Sequence, residues 1–248
     1  MTKLFSLEGK TALITGGGTG IGRAIAEALS DAGAYLIVVG RREDKLKETL
    51  EGRNGLPVSA DLFADGPLTV IRETCESHGT FPDILVNAAG VNPRKSADEI
   101  THDDWQNTIH LNLTIPFFLA QTFVPQMKKK GWGRIINIAS LQSERAFTNG
   151  IAYGASKGGV TQLTRAMAEA WSKDGITANA LQPGFFPTEL TAPVFGDDTL
   201  SKHHASMTCI GRNGELADLA GPAVFLASDA SGYVTGQMLA VDGGYTAK

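Results

Sequence analysis

Short apolar runs alternate with helical stretches along this chain, and that alternation restricts its fold more than any other feature. Residues 11–14, 35–39, 58–60, 84–86, 134–138, 176–181 and 238–241 read as strands. They run as continuous apolar stretches, so they belong in a sheet covered on both faces. Helical spacing is expected over 21–29, 43–50, 68–77, 105–127, the stretch following Tyr153, and 215–226. Strand–helix alternation predicts an α/β fold: one Rossmann-like, doubly wound parallel sheet of about seven strands with helices on both faces. No linker, repeat or low-complexity stretch breaks the pattern, so 1–248 reads as a single domain. The least regular region, 187–208, follows a strand end and is expected to form a substrate lid, or else an ordinary surface loop and helix.

Composition removes several classes of function. The 248 residues are 42% hydrophobic, which supplies a large core. A net charge of −4 argues against a nucleic-acid partner. No apolar run approaches the roughly 20 residues that cross a bilayer, and the first eight residues lack a signal-peptide core. Cys75 and Cys209 lie far apart without CxxC spacing, which fits a reducing cytoplasm. The five histidines form no HExxH, and His203 and His204 would point to different sides of a helix, so no metal is expected.

Thr15-Gly16-Gly17-Gly18-Thr19-Gly20-Ile21-Gly22 joins the first strand to the first helix. Gly16, Gly20 and Gly22 give Gly-x-x-x-Gly-x-Gly. Glycine allows a tight turn and close approach of a pyrophosphate, while the helix N-terminus supplies unpaired N–H groups and a positive dipole end. After the first strand of an alternating chain, this turn points to a dinucleotide. No Lys-Ser/Thr follows the glycines, which excludes a P-loop. An acidic residue at the end of the second strand would bind both ribose hydroxyls and repel a 2′-phosphate. Gly40-Arg41-Arg42 stands there instead. Guanidiniums suit phosphate, so NADP(H) is favoured and NAD(H) remains possible. Arg41 is the better candidate; the other reading leaves one or both arginines solvated at a helix start.

Tyr153 and Lys157 are four residues apart on an expected helix, one turn apart on one face. A fixed ammonium favours phenolate, which makes Tyr153 a candidate general acid/base.

In one order along the chain stand Thr15-Gly16-x-x-x-Gly20-x-Gly22, Asp61-Leu62, Asn87-Ala88-Ala89-Gly90, Asn112, Ser140, Tyr153-x-x-x-Lys157, Pro183-Gly184 with Thr188, and Val241-Asp242-Gly243-Gly244. As a set they resemble the short-chain dehydrogenase/reductase family. Within it, 139–144 and 90–94 look most like bacterial gluconate 5-dehydrogenases. The resemblance implies hydride transfer between a nicotinamide and a carbinol or carbonyl carbon. Tyr153 would move the proton at the attached oxygen, Lys157 would lower the phenol pKa and bind the nicotinamide ribose, and Ser140 would hold the substrate oxygen. Asn112 would hold a relay water through its carbonyl; Pro116, lacking an N–H, would leave that carbonyl free or simply kink the helix. Cofactor contacts are implied for Gly16, Gly18, Thr19, Gly20, Ile21 and Gly22, for Asp61 and Leu62 near the adenine, and for Ala88, Ala89 and Gly90. Asn87 belongs to the same set, mainly as a tie between strands. Pro183, Gly184 and Thr188 would lie near the nicotinamide amide, and Asp242 would form a turn.

Arg94 and Glu144 are placed to border the substrate crevice, where they suit the carboxylate and hydroxyls of a sugar acid such as gluconate or 5-ketogluconate, or else they face solvent. A 3-oxoacyl thioester reductase is the competing enzyme reading, with Lys128-Lys129-Lys130 as a basic patch for an acidic carrier protein, or as an ordinary helix end. A non-catalytic dinucleotide sensor is the third, disfavoured by the intact proton-transfer set. The resemblance implies a homotetramer. Gly158-Gly159, costly inside a helix, are expected to mark close approach of another helix or of the cofactor.

Overall fold

The computed structural model describes residues 3–248, so the segment read as lacking a signal core begins two residues outside this range. The apolar runs form β1 (Thr11–Thr15), β2 (Tyr35–Gly40), β3 (Gly55–Ser59), β4 (Ile84–Asn87), β5 (Gly133–Ile138), β6 (Ile176–Pro183) and β7 (Met238–Val241). Between them lie α1 (Gly20–Asp31), α2 (Glu43–Leu50), α3 (Pro67–Ser77), α4 (His102–Ile109), α5 (Ile115–Lys130), α6 (Ile151–Trp171), α7 (Ala192–Phe195), α8 (Asp198–Met207) and α9 (Ala220–Ala227). The strands make one parallel sheet in the order β3-β2-β1-β4-β5-β6-β7. The order reverses between β1 and β4, and a crevice opens at the strands' carboxyl ends at such a switch point.

Successive strand residues point to opposite faces. Leu13, Ile37, Leu85 and Ile135 pack on one side with Leu119, Phe123, Met127 and Met167 from α5 and α6. Ala12, Ile14, Val38, Val86 and Ile136 pack on the other with Ile25 and Leu29 of α1 and Leu226 of α9. Both faces are thus covered, which is why the runs are apolar throughout.

Four local expectations need correction. The third strand begins at Gly55, ahead of the expected 58, and includes Pro57. Proline donates no ladder bond, but β3 is an edge strand, where proline is tolerated. The helix expected over 105–127 is interrupted by a π turn, His110–Thr114, in which the Ile115 N–H donates to the His110 carbonyl. Pro116 follows this turn without a break in the helical run, so its missing N–H removes one hydrogen bond from the passage into α5. The segment 215–226 begins as a 3-10 turn, Leu216–Leu219, before α9. The region 187–208 is mostly helical, because the Asp197 carboxylate accepts from the Thr199 and Leu200 N–H groups and starts α8.

At the sheet's amino-terminal edge the buried Asp83 carboxylate accepts from the Thr11 N–H at 3.0 Å and from Lys130 at 2.6 Å, joining β1 to the end of α5. Asp83→Ala strips both donors of their acceptor. An expected loss of about 2–3 kcal/mol in unfolding free energy follows, measurable by urea denaturation.

Candidate active site

The crevice is a cleft of about 480 Å³ lined by residues that follow the carboxyl ends of β1 to β6. Its floor is the glycine turn. Gly16 and Gly20 have φ of +68° and +54°, and a Cβ on Gly22 would lie 2.3 Å from the Gly16 carbonyl oxygen. Only glycine fits such a turn. Thr19 caps α1 without a side-chain hydrogen bond, and the first turn of α1 carries no acidic residue. The helix therefore presents unpaired N–H groups and a positive end among Gly18, Thr19, Gly20, Ile21 and Gly22, all on the cleft. Thr15, a residue given no role from sequence, fixes the next wall: its hydroxyl accepts from the Ala88 and Ala89 N–H groups.

Ala88, Ala89 and Gly90 line the cleft; Asn87 does not. Its side chain is buried between strands, donating to Asn137 Oδ1 at 2.8 Å. Its place is the tie between β4 and β5, one residue short of the cavity. Arg41, Arg42, Asp61 and Leu62 form the far end. The Arg41 guanidinium has no hydrogen-bond or ion-pair partner among the described residues. Arg42 is engaged bidentately by Glu189, at 3.0 and 2.8 Å. Lys45, overlooked from sequence, also lines this end. Pro183, Gly184 and Thr188 close the opposite side; Thr188 packs so near Gly20 that a Cβ there would lie 3.2 Å from it.

Ser140, Tyr153 and Lys157 meet at the middle of the cleft. Ser140 follows β5 and caps a 3-10 turn, Leu141–Ser143, accepting from the Gln142 N–H. The Ser143 hydroxyl donates to the Lys157 carbonyl at 2.9 Å, which fastens that turn to α6. Lys157 is buried, and its Nζ donates to the Ile138 carbonyl at 2.6 Å and lies 5.6 Å from the centre of the Tyr153 ring. Burial drops the Lys157 ammonium to about 8. Burial also raises the Tyr153 phenol, with the Ser140 hydroxyl and then the Arg94 charge opposing it. The expected lowering by Lys157 is not among these influences. The pocket disfavours both charged forms, and Ser140 and Arg94 favour phenolate.

Asn112 lies behind this group and off the cleft surface. Its Oδ1 accepts from the Val91 N–H, and its Nδ2 donates to the Val91 carbonyl and to Ser156. The side chain thus joins the β4 exit to α6. A Cβ on Gly90 would lie 3.2 Å from Asn112 Oδ1 and 3.9 Å from Lys157 Nζ, so the three are neighbours.

Of the two substrate candidates, Arg94 lines the cleft and Glu144 does not. Glu144 ends the turn after Ser140 and is exposed to solvent; Gln142 and Phe147 supply that wall. Arg94 holds a φ of +50° and donates to the Leu190 carbonyl at 3.3 Å. Phe185, also on the wall, stacks on His204 of α8 with ring centres 3.6 Å apart, which seats the 187–208 region against the site. These aromatics carried no motif and were missed from sequence. Asp242 accepts from the Gly244 and Thr246 N–H groups and forms a turn. Gly159 is explained by Leu113 of the π turn, 2.8 Å from its would-be Cβ, whereas Gly158 has nothing nearer than 3.8 Å. Lys128 and Lys130 are paired with Asp174 and Asp83 at the sheet's amino-terminal edge, opposite the cleft. Among the described residues no helix is long and apolar enough to cross a membrane, and no cluster of three His, Cys, Asp or Glu is arranged to hold a metal.

A parallel sheet with a glycine-turn cleft and a Ser–Tyr–Lys cluster defines a dinucleotide-linked oxidoreductase, and the chain belongs to the short-chain dehydrogenase/reductase family, enzymes acting on CH–OH groups. Residues 16–246 match the family model described as enoyl-(acyl carrier protein) reductase. The chain is 40% identical over 250 residues to the 2-dehydro-3-deoxy-D-gluconate 5-dehydrogenase of Bacillus subtilis, covering 98% of this chain and 97% of that one. It is 38% identical over 253 residues to the gluconate 5-dehydrogenase of Gluconobacter oxydans, with the same two shares. Among solved structures it resembles a gluconate 5-dehydrogenase from Burkholderia cenocepacia in complex with NADP and tartrate, with a TM-score of 0.93, 39% identity, and 99% and 98% of the two chains covered.

Proposed function

We propose that this enzyme is an NADP(H)-dependent dehydrogenase/reductase of a sugar acid, interconverting a secondary alcohol and a ketone, with gluconate/5-ketogluconate or a close deoxy relative as substrate. The cofactor would contribute the hydride acceptor or donor. The chain's residues fit it: the glycine turn, in which a Cβ at Gly16 or Gly22 would meet backbone, presents bare main chain to the cleft, α1 offers unpaired N–H groups, and Arg41 is a guanidinium without a partner. Ala88 to Gly90 form a flat wall, Asp61 and Leu62 border the adenine end, and Thr188 borders the nicotinamide end.

Tyr153 gives its proton to the substrate oxygen in reduction and takes it in oxidation. Ser140 donates to that oxygen and holds it beside the phenol. Lys157 binds the nicotinamide ribose and fixes the positive charge beneath the Tyr153 ring. Asn112 supports the Lys157 end, its carbonyl holding a relay water and its side chain holding Val91 in place. The 187–208 region acts as a lid over the substrate. The family resemblance supports a cytoplasmic homotetramer.

The observation that carries the sugar-acid reading is Arg94. It stands on the cleft wall, its charge reaches the Tyr153 phenol, and it has no carboxylate partner among the described residues. A guanidinium without a carboxylate beside the reacting centre suits an anionic hydroxy acid; the Burkholderia relative is described with tartrate, itself such an acid. The carrier-protein reading loses its basic patch, since two of its three lysines are paired and face away from the cleft.

The test is a panel of gluconate, ketogluconates, neutral polyols and short 3-oxoacyl thioesters with each nicotinamide cofactor. Sugar acids with NADP(H) are expected to dominate; turnover confined to thioesters overturns the reading. Arg94→Ala is expected to raise KM for the acids about 10- to 100-fold, consistent with loss of one charge-assisted contact, while sparing KM for any neutral polyol turned over.

A further inference from the structure

The Arg42–Glu189 pair spans the cleft. Arg42 follows β2 at the end that would face the adenosine ribose, and Glu189 begins the turn after Thr188, on the far bank beyond β6. The two are 147 positions apart in sequence, yet both terminal nitrogens of the guanidinium donate to the two carboxylate oxygens, at 3.0 and 2.8 Å. Thr188, next to Glu189, rests on Gly20 of the glycine turn. Lys45 lines the same end, and with Arg42 it holds the Glu189 carboxyl below its usual range. A carboxylate of the chain therefore sits among the cations that a phosphate would use.

A guanidinium presents one flat, two-pronged face, and carboxylate and phosphate oxygens match it in the same way. The two anions compete for that face. Arg41, with no partner, remains available to either.

We infer that Glu189 determines cofactor discrimination: its carboxylate occupies the face of Arg42 that a 2′-phosphate would take, so a phosphorylated adenosine must displace it, and displacement frees the segment after β6 from the β2 bank. A nucleotide without the 2′-phosphate leaves the pair intact. The inference rests on the NADP(H) reading. It makes Glu189 a selectivity residue, remote from the reacting atoms, that lowers affinity for the phosphorylated cofactor and couples its arrival to the lid.

The experiment is titration calorimetry with two fragments, adenosine 2′,5′-bisphosphate and 5′-AMP, on the full chain without substrate. Glu189→Gln keeps the shape and removes the charge. It is expected to tighten bisphosphate binding about three- to fivefold, the scale of one exposed ion pair, and to leave 5′-AMP within about twofold. Glu189→Asp, which draws the carboxylate back by one methylene, is expected to give a smaller gain of the same sign. In an Arg42→Ala background most of the gain from Glu189→Gln should vanish, because the contested guanidinium is gone. No gain, weaker binding, or an undiminished gain in that background overturns the inference. If the wild type still prefers the bisphosphate in such a case, the NADP(H) reading stands alone. If the wild type shows no preference, both fall.

Discussion

Tyr153→Phe is expected to lower turnover about 10³- to 10⁴-fold in both directions while nucleotide affinity stays within about twofold. The reason lies in what surrounds the phenol. Ser140 has a hydroxyl that positions an oxygen but does not ionise near neutral pH. The Lys157 ammonium is turned to the Ile138 carbonyl and lies beneath the ring. Neither replaces the proton that Tyr153 carries. The ring itself remains in phenylalanine, so the wall of the cleft persists. Kinetics in both directions, paired with NADPH fluorescence titration, separate the two effects. Turnover within tenfold of wild type would remove Tyr153 from proton transfer. Parallel loss of nucleotide binding would mean that the residue shapes the cleft and does not move the proton.

The balance around that phenol shows how far the chain could be read from its letters. The glycine turn and the Tyr153–Lys157 spacing are local patterns that arise where their residues predict, as do the strand runs apart from β3. The parallel sheet with helices on both faces follows from alternation and from strands apolar throughout, whereas the strand order is seen only in the fold. What sequence missed is set by contacts between distant segments. The π turn at His110–Thr114 carries Asn112, which is held by the β4 exit and α6 through Val91 and Ser156. Glu144 was assigned to the crevice by its nearness to Ser140 in sequence, but the 3-10 turn carries it into solvent. Asn87, by contrast, is the tie between β4 and β5 that its motif implies, one residue short of the cleft. Phe147, Phe185 and His204 converge from three segments with no shared motif. The phenol shift is of the same kind: spacing on a helix gives proximity to a charge, whereas the shift depends on burial as well, which a sequence does not display.

Burial has its clearest consequence at Lys157, where function and stability pull apart. Lys157→Met is expected to lower turnover at least about 10²-fold. It should also flatten the dependence of stability on pH. An unfolded lysine keeps its proton to about 10.4, whereas the buried one loses it at about 8. Between these values the unfolded chain binds more protons, so wild-type stability without nucleotide rises with pH, from about 8 upward, by at most about 3 kcal/mol. Above about 10 the raised Tyr153 phenol acts in the opposite sense, since the folded chain then holds the extra proton. Methionine carries no proton, so the rise should disappear. At pH 7 the variant escapes the cost of a buried ammonium but leaves the Ile138 carbonyl without its donor, and the two changes are of similar size. Urea unfolding at pH 7.5 and 9.5 should therefore show a rising wild type, a level variant, and little difference at the lower pH. An equal rise in both proteins would mean that another group titrates. A buried cation held by a single carbonyl contributes little to the fold, and its retention is explained by what it does for the phenol and the ribose beside it.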